Sequence, residues 1–181
     1  MKYIEKFIVF GVVMVLRIGA APLEAQEYNK VALSTNVADY VQGGGMNIDA
    51  SVGVSQHWSL VASARYNPYS QDSRQRSFSV GTRYWPWYLY AGWWISADAT
   101  YQEYSQTGDF LREGDKFGAS LWLGFSRLLS KHFNLDAGWG LWGGYESYKV
   151  YGCETCSRIR EEGDNYFLAP NRIILSISYI F

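Results

Sequence analysis

Residues 172–181 read RIILSISYIF, and the fold turns on how they are read. Ile173, Leu175, Ile177, Tyr179 and Phe181 fall on one side of an extended chain. Arg172, Ser176 and Ser178 fall on the other, with Ile174 and Ile180 as apolar exceptions. Alternation with period two marks a strand, because successive Cβ atoms point to opposite faces. A strand this apolar on one side needs cover, and an open edge invites aggregation. A closed barrel in a membrane meets both needs, since lipid covers the apolar face and closure removes the edge. The competing reading is a core strand of a soluble sandwich.

The same alternation recurs upstream. A first strand is expected over residues 30–38, and a second carries Met46, Ile48, Ala50, Val52 and Val54. Trp58, Leu60, Ala62, Ala64 and Tyr66 mark the third apolar face, and Phe78, Val80, Thr82 and Tyr84 the fourth. Leu89, Ala91, Trp93, Ile95, Ala97 and Ala99 make the fifth. Two more faces run from Phe117 to Phe125 and from Phe133 to Tyr145. Connections near Gln56, Pro86 and Ser130 are short, and those near Gln42, Asp72, Thr107 and Thr155 are longer and more polar. Residues 102–114 and 146–165 read as long loops. Short periplasmic turns and long external loops are the asymmetry of outer-membrane barrels. Aromatic residues gather at both strand ends, Trp58, Trp85, Trp87, Tyr88, Phe133, Tyr179 and Phe181 at the short-turn end. Tyr40, Tyr66, Tyr101, Tyr104, Tyr145, Tyr148 and Tyr166 stand at the long-loop end. Two such girdles suit two membrane interfaces. The pattern predicts an all-β protein, an eight-stranded antiparallel up-and-down transmembrane β-barrel in the outer membrane, with both termini periplasmic.

Composition is consistent with this. Eight Trp, 15 Tyr and 9 Phe stand beside 18 Gly, while the mean hydropathy of −0.18 resembles that of a soluble protein. Alternating strands produce that average, because their two faces cancel. A net charge of −1 offers no basic excess for nucleic acid. Lys2 and Lys6, the apolar run 7–16 and Ala25 are expected to form a signal peptide over residues 1–25, leaving 26–181 as the barrel.

The opposite face of the strands would fill the lumen. It carries Asp49, Arg65, Arg83, Asp98, Lys116, Asp136 and Arg172. Charges in a narrow interior must be paired, so they are expected to form a structural polar network; a proton or ion path is the functional alternative. Bulky Tyr90, Trp94 and Trp122 on the same face would plug a barrel of this size. No nucleophile–base set suggests catalysis. His57 and His132 both fall in short turns, and no G-x-S-x-G follows a strand. No catalytic residue, cofactor site or metal site is expected. Cys153 and Cys156 (CETC) in the last loop are expected to form a disulfide; half a zinc set and a redox pair are the alternatives. Arg158, Arg160, Glu161, Glu162 and Asp164 make that loop highly charged, as a solvated tip or a partner surface.

Landmarks along the chain carry a resemblance. They are KVALSTNVADY from Lys30, QHWSL from Gln56, RYNPY from Arg65, VGTRYWPW from Val80, YGCETC from Tyr151 and NYFLAPNRIILSISYIF from Asn165. In this order they resemble a family of uncharacterised outer-membrane proteins of Bacteroides-type bacteria, classed by a domain of unknown function, some encoded near fimbrial genes. Trp-Pro-Trp at residues 85–87 departs from that family's usual corner. Tyr179 and Phe181 also resemble the C-terminal signal read by the barrel-assembly machinery. The resemblance implies a barrel at the cell surface whose partners are outer-membrane lipid, that machinery and a surface or fimbrial protein. It transfers no catalytic residue. The rival functions are an outer-membrane lipid-modifying enzyme, a narrow channel and a soluble periplasmic calyx.

Overall fold

The computed structural model describes residues 30–43, 45–67, 73–108, 110–152 and 158–181. Strand β1 (Val31–Asn36) is followed by helix α1 (Val37–Gly43), then β2 (Met46–Gly53), β3 (Trp58–Asn67) and β4 (Ser73–Tyr84). β5 (Gly92–Thr107), β6 (Leu111–Leu128) and β7 (Phe133–Tyr151) are much longer. β8 (Ile159–Pro170) and β9 (Ile174–Ile180) complete the sheet. Every pairing is antiparallel, and β9 pairs with β1, so the sheet closes on itself.

β8 and β9 together make one stave of an eight-stranded barrel. β8 pairs with the upper part of β7, from Leu141 to Tyr151, and β9 with its lower part, from Phe133 to Gly138. Gly138 faces Ile174 while Leu141 faces Pro170, so this stave has one residue more than β7 across the break. Such a bulge reverses which alternate residues face inward. Below it Ile174, Ser176, Ser178 and Ile180 point inward; above it Tyr166, Leu168 and Pro170 share the outward face with Leu175 and Tyr179.

The outward set is the apolar one. Met46, Ile48, Leu60, Phe78, Val80, Trp93, Ile95, Leu121, Leu123, Trp139, Leu141, Leu175 and Ile177 are all exposed. Inward positions hold Asn36, Asn47, Ser59, Ser63, Ser79, Ser96, Ser120, Ser126, Asn134, Asp136, Ser176 and Ser178, all buried. This inverts the arrangement of a water-soluble protein, and it excludes the sandwich reading of the last strand.

Several expectations need correction. The first strand ends at Asn36, and residues 37–43 form a helix where a connection was expected. Asn36 caps it, its Oδ1 accepting from the Ala38 N–H at 3.2 Å. Residues 102–107, 111–114, 146–151 and 159–165 are strand, and where β5 meets β6 the Gly108 N–H donates to the Phe110 carbonyl at 3.2 Å. The asymmetry between the two ends therefore lies in strand length as well as in loops. Leu89 and Ala91 are expected on the outer face and Trp85 in the short-turn girdle, yet all three are buried. The fifth strand begins only at Gly92, because Tyr90 adopts φ +63° and Gly92 φ +81° and turn the chain into the barrel base. The expected signal peptide and the Cys153–Cys156 disulfide lie outside the described residues.

Candidate functional site

Three layers of side chains fill the lumen. At the base, Trp85, Leu89, Tyr90 and Trp94 form an apolar plug with Ile180. The plug is tied down by polar tips: Trp85 Nε1–H donates to Ser59 Oγ at 3.1 Å and Tyr90 O–H to the Lys30 carbonyl at 3.1 Å. Asn134 Nδ2–H donates to the Tyr90 carbonyl at 2.9 Å. His57 and His132 lie outside this layer, in the turns, where their Nδ1 atoms meet the carbonyls of Trp85 and Ile180 at 2.8 and 2.9 Å. They hold turns together through these carbonyls.

In the middle layer, Arg65 bridges two acids, donating from Nε to Asp39 at 3.0 Å and from Nη2 to Asp49 at 3.5 Å. Arg172 approaches the other oxygen of Asp39 at 3.9 Å. The guanidinium of Arg83 lies over the Trp94 ring at 3.9 Å. Asp98 accepts from Ser96 at 2.8 Å, and Asp136 accepts from Ser126, from Ser178 at 2.7 Å and from Asn134 at 3.2 Å. Asp49, Arg65, Arg83, Asp98, Asp136 and Arg172 thus lie in the lumen, but not every charge meets an opposite one. Arg83 uses an aromatic face, and Asp136 uses hydroxyl and amide donors. The hub is Asp39 on α1, which sequence reasoning missed. Its signal was the pair Asn36 and Asp39, three apart, at a helix start.

The top layer lies where β5, β6 and β7 extend past the rest. Glu146 is buried and accepts from Tyr104, from Arg112 at 3.1 Å, and lies 3.6 Å from Lys116. Lys116 also sits over the rings of Tyr104 and Phe167, at 4.9 and 5.4 Å. Burial, and then the Glu146 carboxylate that its O–H serves, push the Tyr104 phenol up to about 12.

The outer surface changes character within one row of the sheet. Tyr166, Tyr145, Phe117, Tyr101 and Phe78 are successive cross-strand partners and form one aromatic row. The outward row below it is Leu168, Gly143, Ala119, Ala99 and Val80. The outward row above it is Asp164, Ser147, Asp115, Glu103 and Arg76. Beside these charges a cleft of about 630 Å³ is lined by Tyr66, Arg76, Glu103, Glu113, Asp115 and Lys149 among others, with both signs present. At the other end Phe133, Tyr179 and Phe181 stack edge to face, at 5.3 and 4.9 Å.

Among the described residues, no group of three or more His, Cys, Asp and Glu side chains is placed to hold a metal ion. No helix among them is long and apolar enough to cross a membrane. A search of curated proteins finds no match to the chain. A family model described as a protein of unknown function (DUF3575) matches residues 9–181, from within the apolar N-terminal run to the final Phe181, and the chain belongs to that family.

Proposed function

We propose that this is a small outer-membrane barrel with a filled lumen. Its role is structural or interactive, presenting the extended β4–β8 end outside the cell, as in the assembly of fimbriae or other surface structures. The observation that carries this reading is the sharp boundary on the outer wall. Apolar side chains stop at an aromatic row, and charged ones begin in the next row. A bilayer interface favours such a transition, since Trp and Tyr rings sit at headgroup level and charges do not enter hydrocarbon. On β5 the apolar outward stretch runs from Trp93 to Tyr101, matching the ~9–11 tilted residues that cross a membrane. Lys30 and Phe181, the first and last described residues, lie at the end opposite the charges, which supports a periplasmic side for that end.

The experiment is twofold. The protein should fractionate with outer membranes and migrate on gels in a heat-modifiable way when kept in detergent. A probe at Arg158 should react with a membrane-impermeant reagent on intact cells. Extraction without detergent would favour the soluble calyx instead, and a silent Arg158 would reverse the orientation. The lipid-modifying alternative would require a base near the charged rim, but both His side chains hold turns at the other end. The partners on this reading are outer-membrane lipid, the barrel-assembly machinery acting on Tyr179 and Phe181, and a surface protein.

A further inference from the structure

The barrel is closed only where β9 meets β1. Among the described residues, β8 pairs with β7 alone and stands at the end of the sheet. β1 stops at Asn36, too low to reach it. Asn36 completes the ladder with its side chain: Nδ2–H donates to the Ile173 carbonyl at 3.2 Å, and Oδ1 accepts from the Leu175 N–H at 2.9 Å. Above Ile173 no strand among the described residues lies beside the far edge of β8.

The side chains report the same gap. Outward residues flanked on both sides, such as Leu141 at 43 %, Tyr145 at 41 % and Leu121 at 63 %, are partly shielded by neighbours. Tyr166 and Leu168, in the same band on β8, are 89 % and 79 % exposed. An exposed apolar pair on a free strand edge is the combination that natural sheets avoid unless something pairs with it.

The edge also straddles the boundary described above. Leu168 belongs to the apolar row and Asp164 to the charged one, with Tyr166 between. Water can solvate the backbone beside Asp164 but does not favour Leu168. Lipid can cover Leu168 but cannot bond an open backbone edge. Only another polypeptide strand serves both. A second copy does not supply it through this edge: a two-fold axis along the membrane normal would cross strands tilted by ~40° at about 80°, which forbids a ladder.

We infer that the free edge of β8 is a strand-addition site for an extended segment of a secreted or surface polypeptide. Its chemistry is directional. Running antiparallel to β8, the segment begins with apolar residues beside Leu168 and Tyr166 and ends with polar or basic ones beside Asp164 and Glu162, where cross-strand charge pairing favours them. Strand β7 already presents this order to the other edge of β8, with Tyr145 opposite Tyr166 and Lys149 opposite Glu162.

The inference rests on the outer-membrane reading, and its test separates the two. A fluorescent synthetic peptide copying Leu141 to Tyr151 is titrated, by anisotropy, against the folded protein in detergent. Saturable binding is expected, weakened about tenfold by the pair Tyr166→Lys and Leu168→Lys. Leu129→Lys, exposed in the turn between β6 and β7 and away from β8, should leave binding unchanged, and a scrambled peptide should not bind. Bound peptide should also slow hydrogen exchange at β8 amides. Absence of saturable binding, or binding indifferent to the β8 pair, overturns the inference. Heat-modifiable migration of the same samples reports separately on the barrel itself: lost migration sinks the outer-membrane reading, and retained migration without binding sinks only the edge.

Discussion

Trp94 pairs across the sheet with Gly124, and Trp122 with Gly140. Each indole lies against the backbone of the next strand because the glycine has no side chain there. A Cβ on Gly140 would meet the Leu121 carbonyl oxygen first and come 2.7 Å from Trp122 Cε3, and one on Gly138 would come 2.9 Å from Trp94 Cη2. Gly140→Ala is therefore expected to destabilise by about 1–3 kcal/mol through overpacking, read as a lower denaturant midpoint for loss of the heat-modifiable form. An unchanged midpoint would mean that the Trp122 ring and the Leu121 carbonyl both give way freely. Asp39 anchors two arginines from a largely buried position, its side chain 13 % exposed. Asp39→Asn should cost about 3 kcal/mol, because it leaves the Arg65 charge half-buried with only Asp49 near; if Arg65→Met added to Asp39→Asn restored nothing, that explanation would fail. Tyr104 titrates near 10 in an unfolded chain and about 12 here. Its raised value stabilises the fold fully below pH 10, and that contribution is lost as pH rises toward 12. Stability measured across this window should fall less steeply in Tyr104→Phe than in the native protein.

At the scale of elements, the short β1 and the helix that follows it are the least expected feature. A strand continuing past Asn36 would have closed the wall beside β8. The Asn36 side chain instead caps α1, meets Asp39 at 3.0 Å and pairs with the backbone of β9. Asn36 is fully buried, so Asn36→Ala strands several buried polar groups and is expected to cost about 2–3 kcal/mol. Hydrogen exchange at the Leu175 amide should accelerate more than at Ile180, which bonds elsewhere; equal acceleration would point to global loosening rather than a lost cap. The bulge after Pro170 explains why alternation read from the C-terminus runs out of phase with that of β8. A one-residue insertion changes no local composition, so residue pattern alone placed a loop where two paired strands lie.

At the scale of the whole molecule, the lumen is packed with indoles, guanidinium groups and hydroxyls from every strand, and a barrel of this size has no room to spare. Conductance in planar bilayers is expected to stay at baseline for the native protein. Trp94→Ala combined with Trp122→Ala should admit a measurable current; continued silence in a folded double variant would place the seal at Arg83 and the Trp85 plug instead. The barrel itself was legible in the sequence, because period-two alternation, short turns and aromatic strand ends are local properties that need no knowledge of contacts. The inward positions of Asp49, Arg65, Arg83, Asp98, Asp136 and Arg172 follow from the same parity. Which of them meet could not be read from the residues. Arg65 finds Asp39 from 26 positions away, and Arg83 settles on a ring rather than an acid. Such pairings depend on stagger between strands and on a helix that folds over the rim, and both are set by closure of the sheet. The tertiary structure alone also revealed that, among the described residues, β8 pairs on one side only, since a free edge is a relation between strands and not a property of any one of them.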